Sequence, residues 1–277
     1  MSFLVTYITN HFQAIIGKAL INSFYGQPQA YSYWSGCPQG ICQGFMLAQR
    51  YPNAYDGITA AAPALKRVEF VPASSRAQIV MNLMGEFPRA YELNAITEAA
   101  ISSCDSSDGL IDGLVSDPDV CKFDPISLVD HSINCTETGS IIQISAAAAI
   151  VANATWTGPR TADGGLLWYG IESQTGLTES TSGLGYAMTS CANYTCVGVP
   201  TGLGEPWLTF FVKKNPARDY TKIYSVEEYA SLFHASVQEF DSLIGTSDPD
   251  LSSFQAAGGK LITYHGLVSL FNTNSAK

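Results

Sequence analysis

Between Tyr31 and Ala64 the chain reads as strand, helix, strand, and so short a span fits only two parallel strands joined by a crossover helix. Tyr31 to Trp34 is short, aromatic and β-prone, a candidate buried strand. Gly40 to Tyr51 reads as helix and ends before Pro52. Ile58 to Ala64 is the second strand. The join between first strand and helix, Ser35-Gly36-Cys37-Pro38-Gln39-Gly40, has the layout of a nucleophile elbow, a tight turn that lifts a serine hydroxyl above a sheet. The position that should carry that serine carries Pro38. Proline has no hydroxyl, and its φ is held at about −65°, so it cannot take the positive φ such a turn needs. The segment thus points to an enzyme scaffold and, in the same residues, to lost chemistry.

Composition narrows the partners. Twenty-four acidic and 14 basic residues give a net charge of −10, which argues against nucleic acid or an anionic membrane surface. No run is long and apolar enough for a transmembrane helix. Met1 to Ile15 has neither the basic flank nor the cleavage site of a signal peptide, which taken alone predicts a cytoplasmic protein. The cysteines argue the other way. There are seven (Cys37, Cys42, Cys104, Cys121, Cys135, Cys191 and Cys196), with spacings unlike zinc-site pairs and only four histidines to help them. Cys191 and Cys196 could close a short disulfide loop, and Cys104 and Cys121 bracket an acidic one. Glycosylation acceptor patterns start at Asn134, Asn153 and Asn193. These features favour a secretory ancestry and, with no leader, a chain truncated at its start.

Elsewhere, helical periodicity runs from Phe12 to Phe24, Ala77 to Phe87, Tyr91 to Ser102, Gln143 to Asn153 and Val226 to Leu243. A Gly/Asp-rich loop spans Asp105 to Pro125, and Gly158 to Cys196 is Gly/Thr/Ser-rich and irregular. From about residue 68 the chain reads as an insertion into the α/β core, and Leu261 to Tyr264 is a strand that resumes the sheet.

Tyr31 to Ile58 resembles the fungal and bacterial tannase/feruloyl esterase family. So do Cys104-Asp-Ser-Ser-Asp-Gly-Leu-Ile-Asp-Gly-Leu-Val-Ser-Asp-Pro118 leading to Cys121, Trp156 to Pro159, and Asp248 to Gly266. The resemblance implies an α/β-hydrolase fold with an incomplete parallel sheet and a large inserted lid. The core would be residues 1–67 and 236–277, the lid residues 68–235. It implies serine hydrolysis of aromatic carboxylic acid esters as the family chemistry, with an acyl-enzyme formed by a Ser-His-Asp triad. The family's serine matches Pro38, its elbow arginine Cys42, and its triad aspartate, in a His-Gly-x-x-Asp pattern, Ser269 in His265-Gly-Leu-Val-Ser269. Its triad histidine lies beyond Lys277, beside a cysteine that pairs with the one matched by Cys37. The resemblance also implies a Ca2+ site in the lid, held by Asp105, Asp108, the Leu110 carbonyl, Asp112 and the Leu114 carbonyl. Hard calcium takes about six to eight oxygens, and a Gly-rich loop can turn carbonyls inward between carboxylates. A solvated acidic turn is the bland alternative, and the pattern is not an EF-hand.

Other residues draw weaker functional readings. His265 reads as a structural hydrogen-bonding residue rather than a base. Ser35 precedes the turn and points away from it, so it does not replace the missing serine. His11 and His234 have no partner nearby in sequence. Trp168, Tyr169 and Trp207 read as lid core before they read as the wall of an aromatic-acid pocket. Three functional readings stand: an esterase-family hydrolase, a non-catalytic protein that binds an aromatic ester or another protein, and the product of a gene that is decaying or whose ends are wrongly assigned.

Overall fold

The computed structural model describes residues 2–36, 39–135, 139–178, 185–192, 195–219, 222–223 and 225–266. In chain order its regular elements are α1 (Ser2–Tyr25), β1 (Tyr33–Gly36), α2 (Gln39–Arg50), β2 (Gly57–Ala61), α3 (Arg67–Ala73), α4 (Arg76–Met84), α5 (Ala90–Cys104), β3 (Ser132–Cys135), β4 (Ser140–Gln143), α6 (Ala146–Thr157), β5 (Thr189–Ala192), β6 (Thr195–Gly198), α7 (Gly204–Pro206), α8 (Val226–Ile244), α9 (Ser252–Ala256) and β7 (Lys260–Tyr264). A π-helical turn, Trp207–Val212, follows α7 directly. None of the helices is long and apolar enough to cross a membrane, among the described residues. The chain divides into two compact units, Met1–Val68 with Glu239–Gly266, and one built on Glu69–Gln238.

The first unit is a three-stranded parallel sheet in the order β1-β2-β7. Register places Trp34 beside Ile58 and Ile58 beside Leu261. Because strand side chains alternate, these three share one face. With Ala14, Leu47, Ala48, Ala54 and Phe254 they form the unit's apolar core. The helix α2 lies close to the sheet because Gly44 has no side chain: a Cβ there would sit 3.0 Å from Ile58 and 3.2 Å from Trp34. The opposite face carries Tyr33, Ile262 and Tyr264, all exposed.

The second unit packs α4, α5 and α6 around Met81, Leu93, Ile96, Ile144, Val151 and Leu177. Ser145 caps α6 by accepting from the Ala148 N–H at 3.1 Å. The buried Glu92 ties two helix starts together, accepting from Arg89 N at 2.9 Å and Ser145 N at 3.0 Å. Two small antiparallel pairs complete the unit, β3 with β4 and β5 with β6. The second pair sets Cys191 opposite Cys196, and the two are disulfide-bonded.

Candidate functional site

Strand, helix and parallel strand follow one another as the βαβ reading requires. Strand β1 ends at Gly36 and α2 starts at Gln39. Cys37 and Pro38, between them, lie outside the described residues, as does Ser269. Around that join the frame is tight. The Trp34 indole N–H donates to the Gly40 carbonyl at 2.9 Å, tying the strand to the first turn of the helix. A Cβ at Gly36 would lie 2.6 Å from the Gly40 carbonyl carbon, so only glycine lets strand and helix approach this closely. Cys42, where the resemblance places an arginine, is buried, and its thiol donates to the Ala64 carbonyl at 3.2 Å. Burial pushes that thiol's pKa up, against the charge of Arg67 and the backbone bond to Ala64. This is an inert thiol rather than a nucleophile. At the carboxyl end of β2, Ala62 takes φ 60°, a left-handed conformation costly for a residue with a side chain. The ends of parallel strands are where open α/β sheets bind ligands.

Ser35 is exposed on the strand, registered with Thr59 on the face opposite Trp34. His265 Nδ1 lies 2.8 Å from the Gly266 carbonyl, a local backbone contact. His234 is exposed on α8. Trp168 and Trp207 are buried. Trp207 donates to the Ser236 hydroxyl at 2.8 Å and stacks on Phe211, so it is part of the core of its unit. Tyr169 stands edge-on to Trp168 with its own ring half exposed.

The acidic loop is closed by the Cys104–Cys121 disulfide. Inside it the carboxylates organise backbone amides. Asp105 Oδ1 accepts from Asp112 N at 3.1 Å and Gly113 N at 2.9 Å. Asp108 takes Leu110 N at 3.0 Å on Oδ1 and Ser116 N at 3.1 Å on Oδ2. Those two backbone bonds hold its carboxyl below the usual range. Asp112 Oδ1 accepts from Leu114 N at 3.1 Å. The Gln174 amide then pins the end of the loop, pairing with both N–H and C=O of the buried Val115. Among the described residues, no three His, Cys, Asp or Glu side chains are drawn together as a metal-holding group. The donor chemistry nonetheless suits a hard cation. Asp105 and Asp112 each keep one carboxylate oxygen without a hydrogen bond among the described residues, and the Leu110 and Leu114 carbonyls accept none there.

A family model described as "Tannase and feruloyl esterase" matches residues 6–269. The chain belongs to the tannase and feruloyl esterase family. A probable feruloyl esterase of Arthroderma benhamiae is 36% identical over 257 residues, covering 93% of this chain and 46% of that protein. A probable feruloyl esterase B-1 of Aspergillus terreus is 33% identical over 95% of this chain and 48% of its own length. Among solved structures, tannin acyl hydrolase from Aspergillus niger superposes with a TM-score of 0.80 at 25% identity, over 95% of this chain and 48% of that one. Feruloyl esterase B from Aspergillus oryzae gives a TM-score of 0.75 at 26% identity, over 96% of this chain and 50% of that one. The chain therefore spans about half the length of the tannase and feruloyl esterase relatives it matches. The α/β-hydrolase reading of the sheet agrees with these neighbours.

Two features of the site region escape sequence reasoning. The Trp34–Gly40 tie is one, a side-chain to backbone bond that no periodicity announces. The Gln174–Val115 pairing is the other; it joins residues far apart in the chain, and no local pattern announces it.

Proposed function

We propose that this chain is a catalytically silent relative of serine esterases that act on aromatic carboxylic acid esters. The observation that carries the reading is the proline at position 38, in the two-residue join between β1 and α2. Without a hydroxyl there, no acyl-enzyme can form by the family's route. Ser269 at the acid position removes the carboxylate that would orient an imidazole. Purified protein is expected to hydrolyse methyl ferulate and methyl gallate no faster than buffer. Pro38→Ser alone is expected to remain inactive, because triad members act as a unit and one restored member recovers little. Hydrolysis by the parent chain, abolished by a serine-directed phosphonate, would overturn this reading.

The acidic loop, on the same proposal, retains Ca2+ binding through Asp105, Asp108, Asp112 and the carbonyls of Leu110 and Leu114. Support comes from the hard-oxygen donor set and from the Cys104–Cys121 staple, which limits the entropy of ordering the loop. Bound calcium supplies a structural cross-link here, not a reaction step. At a hundredfold excess over Kd, linkage is worth about 2.7 kcal/mol, a melting-temperature rise of several degrees. Asp108→Ala is expected to abolish most of the rise. An unshifted parent at millimolar calcium would identify the loop as an acidic turn alone.

Export through an oxidising compartment completes the proposal. Two disulfides support it, as do the acceptor asparagines Asn134 and Asn153, which are exposed.

A further inference from the structure

The first unit contains a cleft of about 300 Å³ that the esterase reading leaves without a role. One wall is a single stripe of α1, made by His11, Ala14, Ile15 and Lys18, whose spacing places them on one helical face. The other wall is the end of α2 and the turn after it, from Arg50 to Ala54. The two walls are joined by a stacked pair of rings, His11 on Tyr51, with centroids 4.0 Å apart and planes 14° apart.

Three polar features face this largely apolar surface. Lys18 Nζ donates to the Asn53 carbonyl at 3.4 Å and Arg50 donates one guanidinium N–H to the Ser242 carbonyl at 3.0 Å. Both cations are thus fixed by neutral carbonyls. Among the described residues no carboxylate comes within ion-pair distance of either. Asp56, on which the charge of Lys18 acts, also accepts from the Ser32 N–H at 2.6 Å and the Ser32 hydroxyl at 3.0 Å. The third feature is His11 Nδ1, buried and without a hydrogen-bond partner among the described residues. A buried polar atom left unpaired costs about 1–3 kcal/mol. Two cations lining one cleft are also unexpected in a chain of net charge −10.

We propose that this cleft binds a small planar aromatic carboxylate, with the carboxylate between Lys18 and Arg50 and the ring against Ile15 and the His11–Tyr51 pair. The volume is at the lower end for ligand pockets and suits a single-ring acid. A guanidinium matches a carboxylate through paired N–H donors, and an ammonium adds a point charge. Binding here needs neither position 38 nor position 269, so it stands or falls apart from the loss of hydrolysis.

The test is titration of the intact chain with 4-hydroxycinnamate, by calorimetry and by NMR of the histidine ring signals. Saturable binding with a Kd below about 1 mM is expected. It should shift the His11 signals, weaken at least tenfold in Lys18→Gln and in Arg50→Gln, and weaken as much for 4-hydroxycinnamyl alcohol, which lacks the carboxylate. Melting curves of both variants confirm that they fold, and the His11 shift in the parent stands without them. No saturation by about 10 mM would overturn the proposal. So would binding that neither substitution weakens, or equal competition by acetate, which has the charge without the ring.

Discussion

Replacing Glu205 by glutamine is expected to make the second unit more stable at pH 8 and to leave its stability at pH 5 nearly unchanged. Glu205 lies on α7 and is only 4% exposed. Its Oε2 accepts from the Thr201 hydroxyl at 3.2 Å, while Oε1 has no well-formed partner among the described residues. Burial raises its pKa from 4.5 to about 7, against smaller opposing contributions from its own backbone and the Ser75 and Thr201 hydroxyls. The groups facing it do not relieve it. Tyr229 is itself fully buried and neutral, its hydroxyl donating to the Pro72 carbonyl at 2.9 Å, and the charge of Arg76 acts first on Tyr229. A carboxyl whose folded pKa is raised contributes stability that is complete below about pH 4.5 and is lost as pH rises through about 7. The full loss amounts to about 3 kcal/mol at most. Glutamine keeps the shape and removes the charge, so urea unfolding at pH 5 and pH 8 should separate parent and variant only at the higher pH. A variant equally weakened at both values would mean that the carboxylate is held as an anion.

Gly170→Ala is expected to cost the second unit about 3 kcal/mol or more, enough to leave much of it unfolded in urea concentrations the parent tolerates. A Cβ at Gly170 would lie 1.9 Å from the Trp156 carbonyl oxygen and 2.2 Å from its carbon. Those atoms are backbone at the end of a buried helix and cannot rotate away. The contact is reciprocal: Gly158, at φ 77°, ends α6, and a Cβ there would sit 2.3 Å from the Trp168 carbonyl oxygen. Two backbone segments cross here with no side chain between them. Gly17 on α1 provides the contrast, since a Cβ there meets nothing within 4 Å. Gly17→Ala should stabilise by about 0.5–1 kcal/mol through helix propensity. If Gly170→Ala melts like the parent, the crossing is looser than these distances imply.

The parallel sheet was legible because its strands sit where short β-prone runs meet glycine and proline, and β1, β2 and β7 start within two residues of the expected positions. Helix positions were less exact for local reasons. The helix expected from Gln143 starts at Ala146 because Ser145 caps it, while Gln143 belongs to β4 and Ile144 bridges to Val129. Little in the sequence warns of α3, which holds Pro72 inside a seven-residue helix. The π-helical turn at Trp207 is set by packing, with Trp207 bound to Ser236 on α8, and periodicity of 3.6 does not detect it. The four-residue strands β3 to β6 are too short to alternate convincingly and are fixed by their partners. At the site, the proline at position 38 is a fact of sequence alone. The frame around it depends on glycines, whose tolerance of close contact shows only once the neighbours are placed.

The Tyr229–Pro72 bond has a consequence for the order in which the chain folds. It joins residues 157 positions apart and pins the two ends of the second unit to each other. Strand β7 must find β2 across the whole intervening chain, from Ala61 to Lys260. If the second unit has already formed, its clasped ends shorten that search to the two connecting stretches alone. The saving in loop-closure entropy is about 1 kcal/mol. Synthesis from the N-terminus favours the same sequence of events, since residues 69–238 emerge before β7 exists. A change that loosens the clasp would thus slow closure of the distant parallel sheet without touching any of its strands.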